Sequence, residues 1–122
     1  MSSQTLVSVP SMETIQRAIE GNDANTLINL YADDAQLRII DKYHTPSQPT
    51  VLRGKSAIAD YYNDVCARAM SHKVEDAVSD SRHIAFLEDC RYPDGMQVSS
   101  TAILEIANDK IVRQTTIQVW DE

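Results

Sequence analysis

The chain has 122 residues, 43% of them hydrophobic, a size and composition that suit one domain burying its own core without metals or disulfides. Eighteen acidic against eleven basic side chains give a formal charge of −7, which disfavours nucleic acid and anionic membranes as partners. Cys66 and Cys90 lie far apart, with no CxxC pair and no histidine at metal-ligand spacing, so both are expected to be reduced thiols and no metal site or cofactor is implied. Residues 1–10, rich in Ser and Thr, read as a loose tail, and residues 11–122 as a single domain. From Ser11, the residues Met12, Ile15, Ala18 and Ile19 recur at helical spacing until Gly21-Asn22 stops the helix. Asp23 can cap a second helix with Ala24, Leu27, Ile28 and Tyr31 on one face, ended by a turn at Ala32-Asp33-Asp34. The stretch from Ala35 to Asp41 reads as a strand, and Lys42 to Val51, with Pro46 and Pro49, as a mobile loop. Gly54-Lys55-Ser56 precedes a third helix that carries Ile58, Tyr61, Tyr62, Val65 and Cys66 and ends near Ser71.

Four strands are expected after His72: Val74–Val78, Ile84–Tyr92, Gln97–Ala107 and Ile111–Trp120, with turns at Pro93-Asp94-Gly95 and Asn108-Asp109. They form an antiparallel meander, so the fold class is α+β. The last two strands are apolar at both parities, which covers one sheet face with helices and the other with a second copy of the chain, a homodimer. Ile103, Ile117 and Val119 are the candidates for that outer surface. No basic, apolar leader opens the chain and no run approaches a membrane span, so a soluble, cytoplasmic protein is expected.

Three stretches carry a resemblance. They are Leu30-Tyr31-Ala32-Asp33-Asp34-Ala35, then Leu52-Arg53-Gly54-Lys55 with Ile58 and Tyr61-Tyr62, and finally Val119-Trp120-Asp121-Glu122. Their order and spacing resemble bacterial ketosteroid isomerases and SnoaL-like polyketide cyclases of the nuclear transport factor 2-like superfamily. The resemblance implies a cystatin-like cone, with three N-terminal helices on a curved antiparallel sheet, mixed at the edge, that encloses a pocket. It does not imply one activity, because the superfamily includes isomerases, cyclases, epoxide hydrolases, dehydratases and noncatalytic binding domains. Counting from the matched motifs, the isomerase base position falls on Ile39, its tyrosine on Ile15 and its protonated aspartate on Ala102. None of these can move or donate a proton, so authentic ketosteroid isomerase activity is not expected.

If strand parity follows the resemblance, Asp41, Asp76, Phe86, Glu88, Ser100 and Trp120 face inward among mostly apolar neighbours, and Tyr31 and Tyr62 match tyrosines around the isomerase pocket. That is the make-up of a site for a small hydrophobic molecule. Glu88 interrupts Phe86, Cys90 and Tyr92, and a carboxyl there should have a raised pKa suited to acid-base work, unless a register slip turns it outward. Asp76 has the same ambiguity. Asp41, two residues beyond the vacant base position, is a relocated carboxylate that His44 could join, or else solvated loop. His72 reads as a helix end, His83 as a strand start, and Cys90 as a small buried hydrophobe without an activating base. Ser99-Ser100-Thr101 lacks a nucleophile elbow. Three readings stand: a cofactor-independent acid-base isomerase, cyclase, lyase or epoxide hydrolase; a noncatalytic ligand-binding module; and a dimeric association domain.

Overall fold

The computed structural model describes residues 9–121. The expected tail therefore lies outside the described residues, apart from Val9 and Pro10. Ser11 caps α1 (Met12–Glu20), its hydroxyl accepting from the Thr14 N–H, and the helix buries Ile15 and Ala18. Asp23 caps α2 (Ala24–Asn29) in the same way, its carboxylate accepting from the N–H and hydroxyl of Thr26. The caps hold the two helices as a hairpin.

β1 (Tyr31–Ile40) starts earlier than the sequence pattern predicts. Tyr31 is already paired with Ile111, and the Ile111 N–H donates to the Leu30 carbonyl, so Tyr-Ala-Asp-Asp is a bulged strand and not a helix end. The expected loop is also shorter. Thr50–Arg53 forms β2, a four-residue edge strand antiparallel to β1. Gly54 then takes φ +90°, a conformation that favours glycine, and its N–H donates to the Ala35 carbonyl at 2.8 Å as the chain enters α3 (Lys55–Ala67).

The helix stops four residues before Ser71. Arg68 is extended, so β3 (Ser71–Ser79) takes in His72, and β4 (His83–Arg91), β5 (Gln97–Ala107) and β6 (Lys110–Trp120) follow. The six strands make one sheet in the order β2-β1-β6-β5-β4-β3, in which β1 and β6 run parallel and the other neighbours antiparallel. The architecture is α+β, as expected. α1 packs on β3, where Glu20 accepts from the Val74 N–H at 2.9 Å. Ile15, Leu30, Leu37, Ile58, Ile84, Leu104 and Ile111 fill the core, each less than 2% exposed. No helix among the described residues is long and apolar enough to cross a membrane.

One strand departs from the expected parity. Asp76 has φ +42° and sits in a bulge that shifts the β3–β4 register between Glu75 and Ala77. Val74 lies opposite Glu88, and Ala77 opposite Phe86, so the extra residue turns Asp76 and Val78 away from the helices. Asp76 is exposed and Val78 is 71% exposed. Asp76 is thereby removed as an inward carboxylate.

Candidate functional site

Between the helices and the sheet lies an open cavity of about 320 Å³. α3 supplies Tyr61, Tyr62, Val65 and Cys66 on one side. Alternation along the facing strands brings in Phe86, Glu88 and Cys90 from β4, Val98, Ser100 and Ala102 from β5, and Gln114, Thr116, Gln118 and Trp120 from β6. β4, β5 and β6 therefore keep the predicted parity. Ile15 and Ile39, which occupy two of the three vacant isomerase positions, lie in the packed core, and Ala102 presents only a methyl group to the cavity.

The polar centre of the wall is built across two strands. His72 on β3 stands opposite Cys90 on β4, and Glu88 lies two residues earlier on the same face. His72 Nδ1 is 2.8 Å from Glu88 Oε2 and 3.2 Å from Cys90 Sγ, and the Cys90 thiol donates to Glu88 Oε2 at 3.1 Å. The side chains of His72 and Glu88 are 4% and 16% exposed. Burial, followed by the charge of Glu88, pushes the Cys90 thiol well above its ordinary pKa, so the sulfur is held protonated and is not an activated nucleophile. His72 Nε2 is buried without a hydrogen-bond partner.

A second network runs behind α3. Tyr31 donates its hydroxyl proton to Gln114 Oε1, Gln114 Nε2 donates to Thr116 Oγ1 at 3.0 Å, and the Tyr31 and Tyr62 hydroxyls are 2.7 Å apart. Because Tyr31 has spent its one proton, Tyr62 is the donor to it, and the bonds run in one direction from Tyr62 to Thr116. Tyr62 and Thr116 line the cavity, whereas Tyr31, 2% exposed, sits behind them. The expectation that Tyr31 touches a ligand is corrected on this ground: its bond to Gln114 draws it into the sheet. Burial pushes the Tyr62 hydroxyl up to about 12 and raises Tyr31 strongly as well, so both are proton donors at neutral pH.

Asp41 is also placed differently from the expectation, because β1 ends at Ile40 and Asp41 opens the following turn. It is not among the cavity-lining residues. Its carboxylate accepts from the N–H groups of Tyr43 and His44, lies 2.9 Å from His44 Nδ1, and accepts from Gln118 Nε2 at 3.3 Å. Burial works to raise its pKa, but the bonds from His44, Gln118 and Tyr43 outweigh it and hold the carboxyl below its usual value. Asp41 thus anchors Gln118, and the tilted contact of Tyr43 with Trp120, centroids 5.8 Å apart, ties the same turn to the wall.

Of the residues singled out from sequence, Glu88, Tyr62, Phe86, Ser100 and Trp120 converge on the cavity, while Asp41, Asp76 and Tyr31 do not. His72 and Cys90 were the residues undervalued. The spacing of Glu88 and Cys90 showed that they share a face, but the partner strand was expected to begin at Val74, which left His72 off the sheet.

The family model of the SnoaL-like domain matches residues 13–114. No curated protein sequence matches the chain. Among solved structures, the fold is similar to a nuclear transport factor 2-like protein of unknown function from Cytophaga hutchinsonii, at 20% identity and TM-score 0.70, covering 87% of this chain and 94% of that one. It is also similar to a nuclear transport factor 2-like protein of unknown function from Mesorhizobium loti, at 12% identity and TM-score 0.74, covering 91% and 88% of the two chains. A bacterial protein with a cystatin-like fold from Silicibacter pomeroyi aligns at 13% identity and TM-score 0.70, over 93% of this chain and 76% of that chain. These likenesses carry the fold, and with the domain match spanning most of the sequence, the chain belongs to the SnoaL-like family.

Proposed function

We propose that this protein encloses a small, largely apolar molecule in the cavity and moves a proton on it, with Glu88 as the acid-base group. The observation that carries this reading is a half-buried carboxylate, hydrogen-bonded to His72 and Cys90, in a cavity wall that is more apolar than polar. A ligand that fills the space displaces water from Glu88, and in a desolvated site a positioned carboxylate contributes about a hundredfold or more to a proton transfer. The Thr116 hydroxyl, two strands away from Glu88 on the same sheet face, accepts from Gln114 and keeps its own proton for a ligand oxygen. Isomerisation, cyclisation, dehydration and epoxide opening can all use a carboxylate and a hydroxyl donor in one cavity, and none of them needs a redox cofactor. With Ile39, Ile15 and Ala102 at the isomerase positions, the chemistry is not that of authentic ketosteroid isomerases.

The outer sheet face supports a homodimer as part of the same reading. Ile103, Ile117 and Val119 are 56%, 47% and 63% exposed on adjacent strands, an apolar surface that a second copy of the chain would cover. A cytoplasmic location goes with the two free thiols.

The test is a thermal-shift screen of steroids, terpenoid epoxides and aromatic polyketides on chelator-treated protein, repeated with Glu88→Gln. A stabilising compound that wild type converts and Glu88→Gln only binds is the expected outcome. Conversion that is equal in both proteins removes Glu88 from the chemistry, and a binder that neither protein converts favours the noncatalytic binding module.

A further inference from the structure

We propose that His72, Glu88 and Cys90 form a binding site for a zinc ion, with the fourth coordination position opening into the cavity. Three different donor atoms, Nδ1, Oε2 and Sγ, converge on one point, with separations of 2.8, 3.2 and 3.1 Å. This is not the geometry of a relay. In a cysteine-histidine-carboxylate relay the thiol and the carboxylate contact opposite nitrogens of the ring, whereas here both contact Nδ1. Glu88 Oε2 accepts from both the Nδ1–H and the Cys90 thiol, which leaves the 3.2 Å approach of Nδ1 to Sγ without a proton of its own. A cation at the centre of the triangle would be ligated by all three atoms together.

The dimensions suit zinc. With Zn–N and Zn–O near 2.0 Å and Zn–S near 2.3 Å, the edges of a tetrahedral site are about 3.3 to 3.6 Å, so each existing edge needs to open by only about 0.4 to 0.5 Å. Side-chain rotation supplies that, because Glu88 and Cys90 project from one strand face and His72 from the paired strand. The mixed sulfur, nitrogen and oxygen donor set favours zinc over magnesium or calcium. Charge also balances: a thiolate and a carboxylate neutralise a divalent ion, so the occupied centre is neutral in a wall where His72 and Cys90 are 4% and 7% exposed. On binding, the Cys90 S–H bond breaks and its proton leaves to solvent as the Zn–S bond forms. His72 stays neutral by moving its proton from Nδ1 to Nε2, the nitrogen that has no hydrogen-bond partner in this structure, and Glu88 contributes a lone pair. Three protein ligands plus one open position is the arrangement of zinc sites that act on a bound molecule.

This inference is separable from the proton-transfer reading, which requires Glu88 unligated and is tested on chelator-treated protein. Here the reduced, chelator-stripped 122-residue chain is titrated with cobalt(II) as a spectroscopic stand-in for zinc. The expected result is a thiolate-to-cobalt charge-transfer band with intense visible bands of a four-coordinate ion, saturating at one equivalent and bleached by added zinc. Cys90→Ser abolishes the charge-transfer band and His72→Gln weakens binding by about a hundredfold or more, while Cys66→Ser leaves both unchanged. X-ray absorption of the zinc-loaded wild type provides a second measurement that needs no variant, and should find one sulfur near 2.3 Å. No cobalt bands from a folded protein, bands that survive Cys90→Ser, bands that vanish with Cys66→Ser, or a zinc shell without sulfur would each overturn the proposal.

Discussion

The directed network of Tyr62, Tyr31, Gln114 and Thr116 makes an asymmetric prediction about two tyrosines that look equivalent. Tyr31→Phe removes the acceptor for the Tyr62 proton and the donor to Gln114 Oε1, so two groups lose partners. Leaving a buried polar group unsatisfied costs about 1 to 3 kcal/mol. Because Tyr62 borders the cavity and can turn its hydroxyl toward water there, the sum is about 2 kcal/mol. Tyr62→Phe leaves Tyr31 still donating to Gln114, and costs about 0.5 to 1 kcal/mol. With an unfolding entropy of about 2 cal/mol/K per residue, a chain of this length loses roughly 8 °C in Tm for Tyr31→Phe and roughly 2 to 4 °C for Tyr62→Phe. Thermal unfolding followed by circular dichroism at pH 7 separates these, and Gln114→Leu combined with Tyr31→Phe should cost clearly less than the sum of the single variants. The raised tyrosine pKa values add a pH signature. Both hydroxyls titrate near 10 when unfolded and higher when folded, so their contribution is complete below pH 10 and is lost as pH rises through the folded values, at up to about 1.4 kcal/mol per pH unit for each group. A Tyr62→Phe variant as unstable as Tyr31→Phe, or additive costs in the double variant, would refute the directed network.

Three further outcomes are expected. Gly54→Ala should destabilise by about 1 to 3 kcal/mol in urea unfolding through backbone strain alone; its φ is +90° and the added Cβ would lie a tolerable 3.7 Å from the Asp33 carbonyl oxygen, so an unchanged midpoint contradicts the assigned turn. Asp41, whose folded pKa is lowered, contributes stability that is present above about pH 4 and lost as pH falls through the folded value. Asp41→Asn should therefore flatten the acid limb of the stability-pH curve, and an identical limb shows that the Asp41 bonds do not persist in solution. Ile117→Asp should convert a micromolar dimer to monomer in light scattering, and a wild type already monomeric at that concentration removes the outer-face interface.

Local pattern read the meander well because Phe86, Glu88 and Cys90 alternate through an unbroken strand whose register with β5 runs without a shift. The same logic failed on β3, where one extra residue at Asp76 reverses the parity that follows, and no glycine marks the bulge. His72 was hidden for a related reason. α3 ends at Ala67 with no glycine or proline to announce it, so the strand that carries His72 begins three residues before the expected Val74. Its meeting with Glu88 and Cys90 is a property of pairing across 16 and 18 residues, beyond what spacing along one element reveals. Tyr31 and Asp41 were displaced from the expected site by non-local bonds to Gln114 and Gln118 on β6, a strand that β1 reaches only through parallel pairing. The short β2 lies just after Pro49, where turn residues mask four residues of edge strand.

The central claim is that the cavity takes up a small apolar molecule and that Glu88 meets it there. The most direct measurement is calorimetric titration of the best-stabilising compound from the steroid, terpenoid epoxide and polyketide panel into wild type, Glu88→Gln and Ala102→Trp, each first shown to be folded. Ala102 lines the cavity, so the indole should fill it and abolish binding, while Glu88→Gln should keep binding and lose conversion. Undiminished binding to Ala102→Trp would place the ligand elsewhere and contradict the account.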